Sequence, residues 1–224
     1  MINIVKSDKI PPSLSIEKAK PSSENYRCEG VLPQLKIDFH NKCYICEDYG
    51  PSTLNVEHFK PHKGDRELMF AWENLFLACG HCNNQKSAKF DHILDCTNVE
   101  HPILEWIKFE IKAFPKEKVK ITPLLENPLV LNTVELLTIA YNSENTELKM
   151  GEAANIRERL IKEILEFSKL LMEYSEPTIL EEEKSFYLNK IRRMLSVKSP
   201  FTAFKIWVIK DNPYLMKEFD KFLP

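Results

Sequence analysis

Four cysteines fall into two pairs: Cys43 and Cys46 enclose Tyr44-Ile45, and Cys79 and Cys82 enclose Gly80-His81. A turn of this kind delivers two thiolates to one ion, and two such turns make a closed tetrahedral zinc site with no position left for water or substrate. The expected zinc is therefore a structural staple. His81 stands inside the second turn as a competing ligand, but with both flanking cysteines present the expected set is four sulfurs. Cys28 and Cys96 are left over and are expected to be buried thiols packed as small apolar groups.

The residues between the pairs carry different chemistry. Val56-Glu57-His58-Phe59 sets a carboxylate beside a histidine at the end of a strand-like run, where alternation would send the two side chains to opposite faces unless the strand breaks. Asn74 opens a second apolar run. Asn83 follows the last cysteine at the expected start of a helix, where exposed N–H groups favour an anion such as phosphate. Lys86, one turn on, is expected to reach the same phosphate.

The elements that must position these groups are short. Thr53 to Val56 and Leu75 to Leu77 read as strands, joined by the polar Lys60 to Arg66 loop with Pro61 and Gly64 in it. Residues 1–35, with Pro11-Pro12, Pro21-Ser22-Ser23 and Pro33 and no sustained apolar period, read as a mostly extended arm that lies along another surface. Residues 36–100 hold the candidate chemistry. Residues 101–224 begin with a hairpin, Trp106 to Phe114 and Val119 to Ile121 around Pro115-Lys116-Glu117-Lys118, and continue as helices. Asn132 with Glu135 suggests a cap. Ile156, Leu160, Ile164, Phe167 and Leu171 predict a long amphipathic helix, and Ile179 to Leu195 another. Ser199-Pro200 and Asn212-Pro213 predict the starts of two short C-terminal helices. The fold class is therefore α+β: a zinc-stapled core with a mainly α-helical C-terminal region.

Thirty-one basic against thirty-three acidic residues give a formal charge of -2, a poor balance for holding a polyanion unaided. The near-balance holds in the first hundred residues and in the rest alike. Only a short basic patch around Lys60, Lys63, Lys86 and Lys89 is in prospect. The sequence has no apolar run of membrane-spanning length, and its start lacks the layout of a signal peptide, so the expected location is cytoplasmic, away from any membrane.

Taken in order, the first Cys-x-x-Cys, Glu57-His58, Asn74-Leu75 and Cys79-Gly80-His81-Cys82-Asn83-Asn84-Gln85-Lys86 resemble the HNH endonuclease motif, a ββα-metal fold, in a zinc-ribbed His-Asn-Asn form. That resemblance implies His58 as general base, Asn74 as the clasp of the histidine-bearing loop, and Glu57 with Asn83 as ligands of a catalytic divalent metal. The family more often has aspartate before the histidine and histidine where Asn83 stands. The oxygen ligands present here shift the expectation to magnesium or manganese. The chemistry is coherent: cutting a phosphodiester requires a nucleophile made from water and neutralisation of developing charge.

A looser similarity spans most of the chain. Met1-Ile2-Asn3-Ile4 with Pro11-Pro12, Glu57-His58-Phe59-Lys60-Pro61, Asn132-Thr133 with Leu136-Leu137, and Ser199-Pro200-Phe201-Thr202-Ala203-Phe204-Lys205-Ile206-Trp207 together resemble the PtuB family, the HNH component of Septu anti-phage systems. It implies work beside a PtuA-type ATPase against DNA, with RNA left open as substrate. Two rival readings stand beside this one: a non-catalytic zinc ribbon that binds nucleic acid or protein, and a zinc hydrolase in which His58 or His62 holds the catalytic metal.

Overall fold

The computed structural model describes residues 1–223. Its first residues carry no regular structure and are buried: Met1, Ile2 and Ile4 lie in the core, while Asn3 donates to the His101 carbonyl at 2.9 Å. The rest of the N-terminal segment is not extended. Helices α1 (Pro12–Ala19) and α2 (Val31–Asp38) occupy much of it. The Pro11-Pro12 pair, expected to break structure, starts it instead, because Pro12 stands in the first helical turn, where a missing N–H costs nothing.

Strand β1 (Leu54–His58) runs antiparallel to β2 (Leu75–Cys79), with Glu57 opposite Phe76 and His58 opposite Leu75. Between them lie the Lys60 to Asp65 loop and helix α3 (Arg66–Phe70), whose first N–H groups at Glu67 and Leu68 are capped by the Asp65 carboxylate. Gly64 sits at φ +89°, a left-handed turn position that glycine adopts without strain. Helix α4 (Gly80–Lys86) follows β2 directly and packs on the hairpin. All five residues of β2 are buried, because α2 and α4 both lie against it.

Helix α5 (Ile103–Trp106) leads into strand β3 (Ile107–Glu110), which pairs antiparallel with β4 (Lys120–Pro123) as the expected hairpin. Helix α6 (Pro128–Asn142) starts earlier than expected. Its cap is Asn127, whose side chain accepts from the Leu129 N–H at 2.8 Å, with Pro128 in the first turn. Asn132 is inside the helix and donates to the His92 carbonyl instead. The amphipathic helix is α7 (Glu147–Tyr174), and the five residues that predicted it are all buried. Helix α8 (Glu181–Leu195) follows. Helix α9 (Thr202–Lys210) begins two residues after Pro200, behind Phe201 in a left-handed conformation, so the Ser199-Pro200 signal marks a turn and not the helix start. Helix α10 (Pro213–Phe219) begins where Asn212 caps it.

The architecture is mixed α+β, with two small sheets and a helical C-terminal region. One hydrophobic core runs through it, from Met1 through Phe76 and Tyr141 to Phe219, so all three segments of the chain share it. Among the described residues no helix is long and apolar enough to cross a membrane.

Candidate active site

The Sγ atoms of Cys43, Cys46, Cys79 and Cys82 lie within 4.8 Å of one another, all buried, with Cys46 and Cys79 3.9 Å apart. Zinc–thiolate bonds in a tetrahedron set their sulfurs about 3.8 Å apart, so donor type, number and spacing fit structural zinc. Without a cation the four thiols are in conflict. Burial works to raise Cys43, but hydrogen bonds from its neighbours outweigh it and hold that thiol low, whereas the bond with Cys43 raises Cys46 and burial raises Cys82. A dication at the centre removes that conflict.

The knuckle is clamped from every side. His81 takes no part in the sulfur cluster. It donates from Nε2 to the Ala140 carbonyl at 2.8 Å, and its Nδ1 meets the Glu152 carboxylate at 2.9 Å, tying α4 to α6 and α7. The Tyr141 hydroxyl donates to the Cys46 carbonyl at 2.7 Å. Arg159 grips the Asp48 carboxylate at 2.9 and 2.6 Å, and Glu47 receives the Met1 amino group at 2.9 Å. None of these partners lies near its target in sequence, which is why sequence reading missed them. Cys28 and Cys96 are free and buried, away from the cluster, as expected.

His58 closes β1, half-buried. Its Nε2 lies 2.9 Å from the Met69 carbonyl. A carbonyl accepts only, so Nε2 carries the proton and Nδ1 keeps the lone pair. The rings of Tyr26 and His62 flank it at 4.3 and 4.7 Å between centroids. Burial, then the charges of His62, Arg27 and Lys86, hold the imidazole below the usual histidine pKa against the opposing Met69 bond.

Asn74 clasps the following loop. Its Nδ2 donates to the carbonyls of Lys60 and Leu68, both at 2.9 Å, and its Oδ1 accepts from the Lys60 N–H at 2.7 Å. The loop end that carries His58 is thereby fixed to the segment that supplies the Met69 carbonyl.

Glu57 obeys the strand alternation and turns away from the side His58 takes, into the protein. Its Oε2 faces Lys86 Nζ at 3.3 Å, and its Oε1 and the Tyr44 hydroxyl are buried close together, near enough for the hydroxyl to favour the ionised carboxylate though short of good hydrogen-bond geometry. Burial raises its pKa, and Lys86 opposes the shift. Lys86 is only 1% exposed and donates to the His58 carbonyl at 3.0 Å. The expectation that Lys86 reaches a phosphate therefore fails: helix α4 turns this side chain inward, where it braces the histidine backbone. Asn83 is half-buried and stands one turn inside α4, which starts at Gly80, so the expected placement at the helix start is also corrected. A carboxylate and an amide are oxygen donors of the kind a hard cation takes, but here the Glu57 carboxylate is engaged by Lys86.

No curated protein matches the chain. The HNH endonuclease family model matches residues 43–89, which run from the first zinc-site cysteine through the two strands and the helix that closes on them.

Proposed function

We propose that this protein is a metal-dependent HNH endonuclease that hydrolyses phosphodiester bonds in DNA as the cytoplasmic nuclease component of a Septu-type anti-phage complex, beside a PtuA-type ATPase. The observation that carries the nuclease reading is His58, its proton placed on Nε2 by the Met69 carbonyl and its Nδ1 left to accept, inside the segment that matches the HNH model. Its Nδ1 accepts a proton from the attacking water as general base. Asn74 keeps the ring and its loop in register. Lys86 holds the His58 carbonyl from below. The HNH resemblance assigns the cation to Glu57 and Asn83, and Glu57, which turns to the other side of the strand from His58 and pairs with Lys86, has to free its carboxylate to take it. Magnesium or manganese, when bound, neutralises charge on the phosphate and on the leaving oxygen.

The Glu57–Lys86 pair bears on how firmly such a cation would be held. An ammonium already shares this carboxylate, so the site offers little net negative charge, and magnesium is commonly completed by substrate phosphates. The cation is held firmly only together with nucleic acid. The partner reading draws on the PtuB resemblance and on the charge balance.

The test is plasmid nicking by purified protein, alone and co-expressed with the ATPase, with magnesium or manganese added. Cutting that is lost in His58→Ala with zinc retained supports the proposal. Unchanged cutting by His58→Ala refutes the mechanism. Binding without any cutting, by both preparations, leaves a zinc-ribbon binding module.

A further inference from the structure

The N-terminal segment reaches the histidine. Tyr26 lies against the His58 ring, and the Arg27 guanidinium carbon sits 5.1 Å from the Tyr26 ring centroid. Arg27 is exposed, and among the described residues no carboxylate lies within ion-pair distance of it. Of the other cations near the site, Lys86 is engaged on Glu57, Lys89 on Glu135 and Lys63 near Asp91 at 3.8 Å, while Lys60, exposed in the loop that follows His58, forms no ion pair among the described residues. Arg66 is spent on the main chain, with its guanidinium donating to the carbonyls of Lys18, Lys20 and Ser23 at 2.7, 2.8 and 2.7 Å.

That last interaction gives the segment a fixed path. Three carbonyls on one guanidinium, with Lys18 paired to Glu67, fasten residues 18–23 to the start of α3. Tyr26 follows three residues later, ahead of the turn into α2. The chain is thereby led to His58 from a direction that the HNH segment does not supply.

We propose that Arg27 is a phosphate-binding residue for the nucleic-acid substrate, carried beside His58 on the ring of Tyr26, so that the segment preceding the nuclease motif completes the active site. This rests on the nuclease reading. A guanidinium stacked on an aromatic face keeps its outer N–H groups free and its orientation restricted, which suits a phosphate oxygen. Tyr26 is a positioning residue: it packs on one side of the His58 ring while His62 packs nearby, and it carries the cation.

The experiment separates grip from cutting. A fluorescent DNA duplex is titrated at low salt with the full chain in a His58→Ala background, and the salt dependence of affinity is compared with and without Arg27→Ala. Removing one bound phosphate's partner lowers the slope of log affinity against log salt by about one and weakens binding at every sequence. Arg27→Lys recovers the slope in part, because the charge remains but the fork does not. In the active protein, Tyr26→Phe keeps the rate and Tyr26→Ala lowers kcat with zinc content and melting temperature unchanged, a split that a merely structural residue does not give. If Arg27→Ala binds with the parent's affinity and slope, the subsite is wrong and the nuclease reading stands. If the background protein shows no salt-dependent binding even when co-purified with the ATPase, both fall.

Discussion

Asn74 holds Lys60 by both ends of its backbone, donating to the Lys60 carbonyl at 2.9 Å and accepting from the Lys60 N–H at 2.7 Å. The same amide nitrogen also reaches the Leu68 carbonyl, so one side chain spans the two walls of the loop between His58 and α3. Asn74→Asp keeps the acceptor and removes the donor, leaving two carbonyls facing a carboxylate. Depriving a buried group of its hydrogen-bond partner costs about 1–3 kcal/mol. Urea denaturation is expected to show a loss of that size with zinc retained, and nicking is expected to fall further than stability, since the loop that sets His58 loosens first. A variant as stable as the parent would show that the clasp is idle.

The zinc knuckle makes a separate prediction. Purified protein carries about one zinc per chain, and Cys82→Ser loses both the metal and the soluble fold, because ligation and folding are one equilibrium in a closed site. Here the effect extends beyond the knuckle, since His81, Glu47 and Asp48 connect it to α6, α7 and the N-terminus. Metal analysis of folded, active protein that found no zinc would contradict this.

The cysteine pairs and the strand end at His58 were legible in the sequence because local spacing fixes ligand geometry and strand ends. The same reading misplaced Lys86, since spacing puts a residue on a helix but does not say which side the protein covers. It also took residues 1–35 for a mostly extended arm. Helix α1 is only eight residues long, too short for a period to stand out, and what orders its neighbourhood is Arg66, far away in sequence. Tyr26 carried no signal at all: its place against His58 exists only once that distant fastening is made.

The Glu57–Lys86 pair predicts an asymmetry in stability. Both side chains are almost wholly buried, so solvent does not screen them, and removing one partner strands the other's charge at about 3–5 kcal/mol. Lys86→Met is expected to cost that much, and Glu57→Gln/Lys86→Met together less than Lys86→Met alone. Thermal melts of the single and double variants decide it. Equal, additive losses would mean that the two groups do not sense each other.

Lys6 yields a prediction with a definite sign in pH. Its ammonium donates to the carbonyls of Trp72 and Leu75 and lies 4.4 Å from the Trp72 ring centroid. Burial nevertheless dominates, and lowers its pKa from 10.5 to about 8, with Asp38, Asp95 and Glu73 pulling the other way. Between those two values the unfolded chain binds more protons at this position than the folded one, so the contribution of Lys6 to stability rises with pH across the window. Below pH 8 its charge is a full burden on the fold; above 10.5 the burden is gone. Lys6→Met has no such titration and its hydrocarbon chain fits the same buried path. The stability difference between parent and Lys6→Met, followed by urea denaturation, is therefore expected to favour the variant most below pH 8 and to shrink as pH climbs toward 10.5. A difference that stays flat over that range would show that Lys6 titrates as an ordinary exposed lysine, and direct observation of its ε-methylene resonance by NMR would place its midpoint independently.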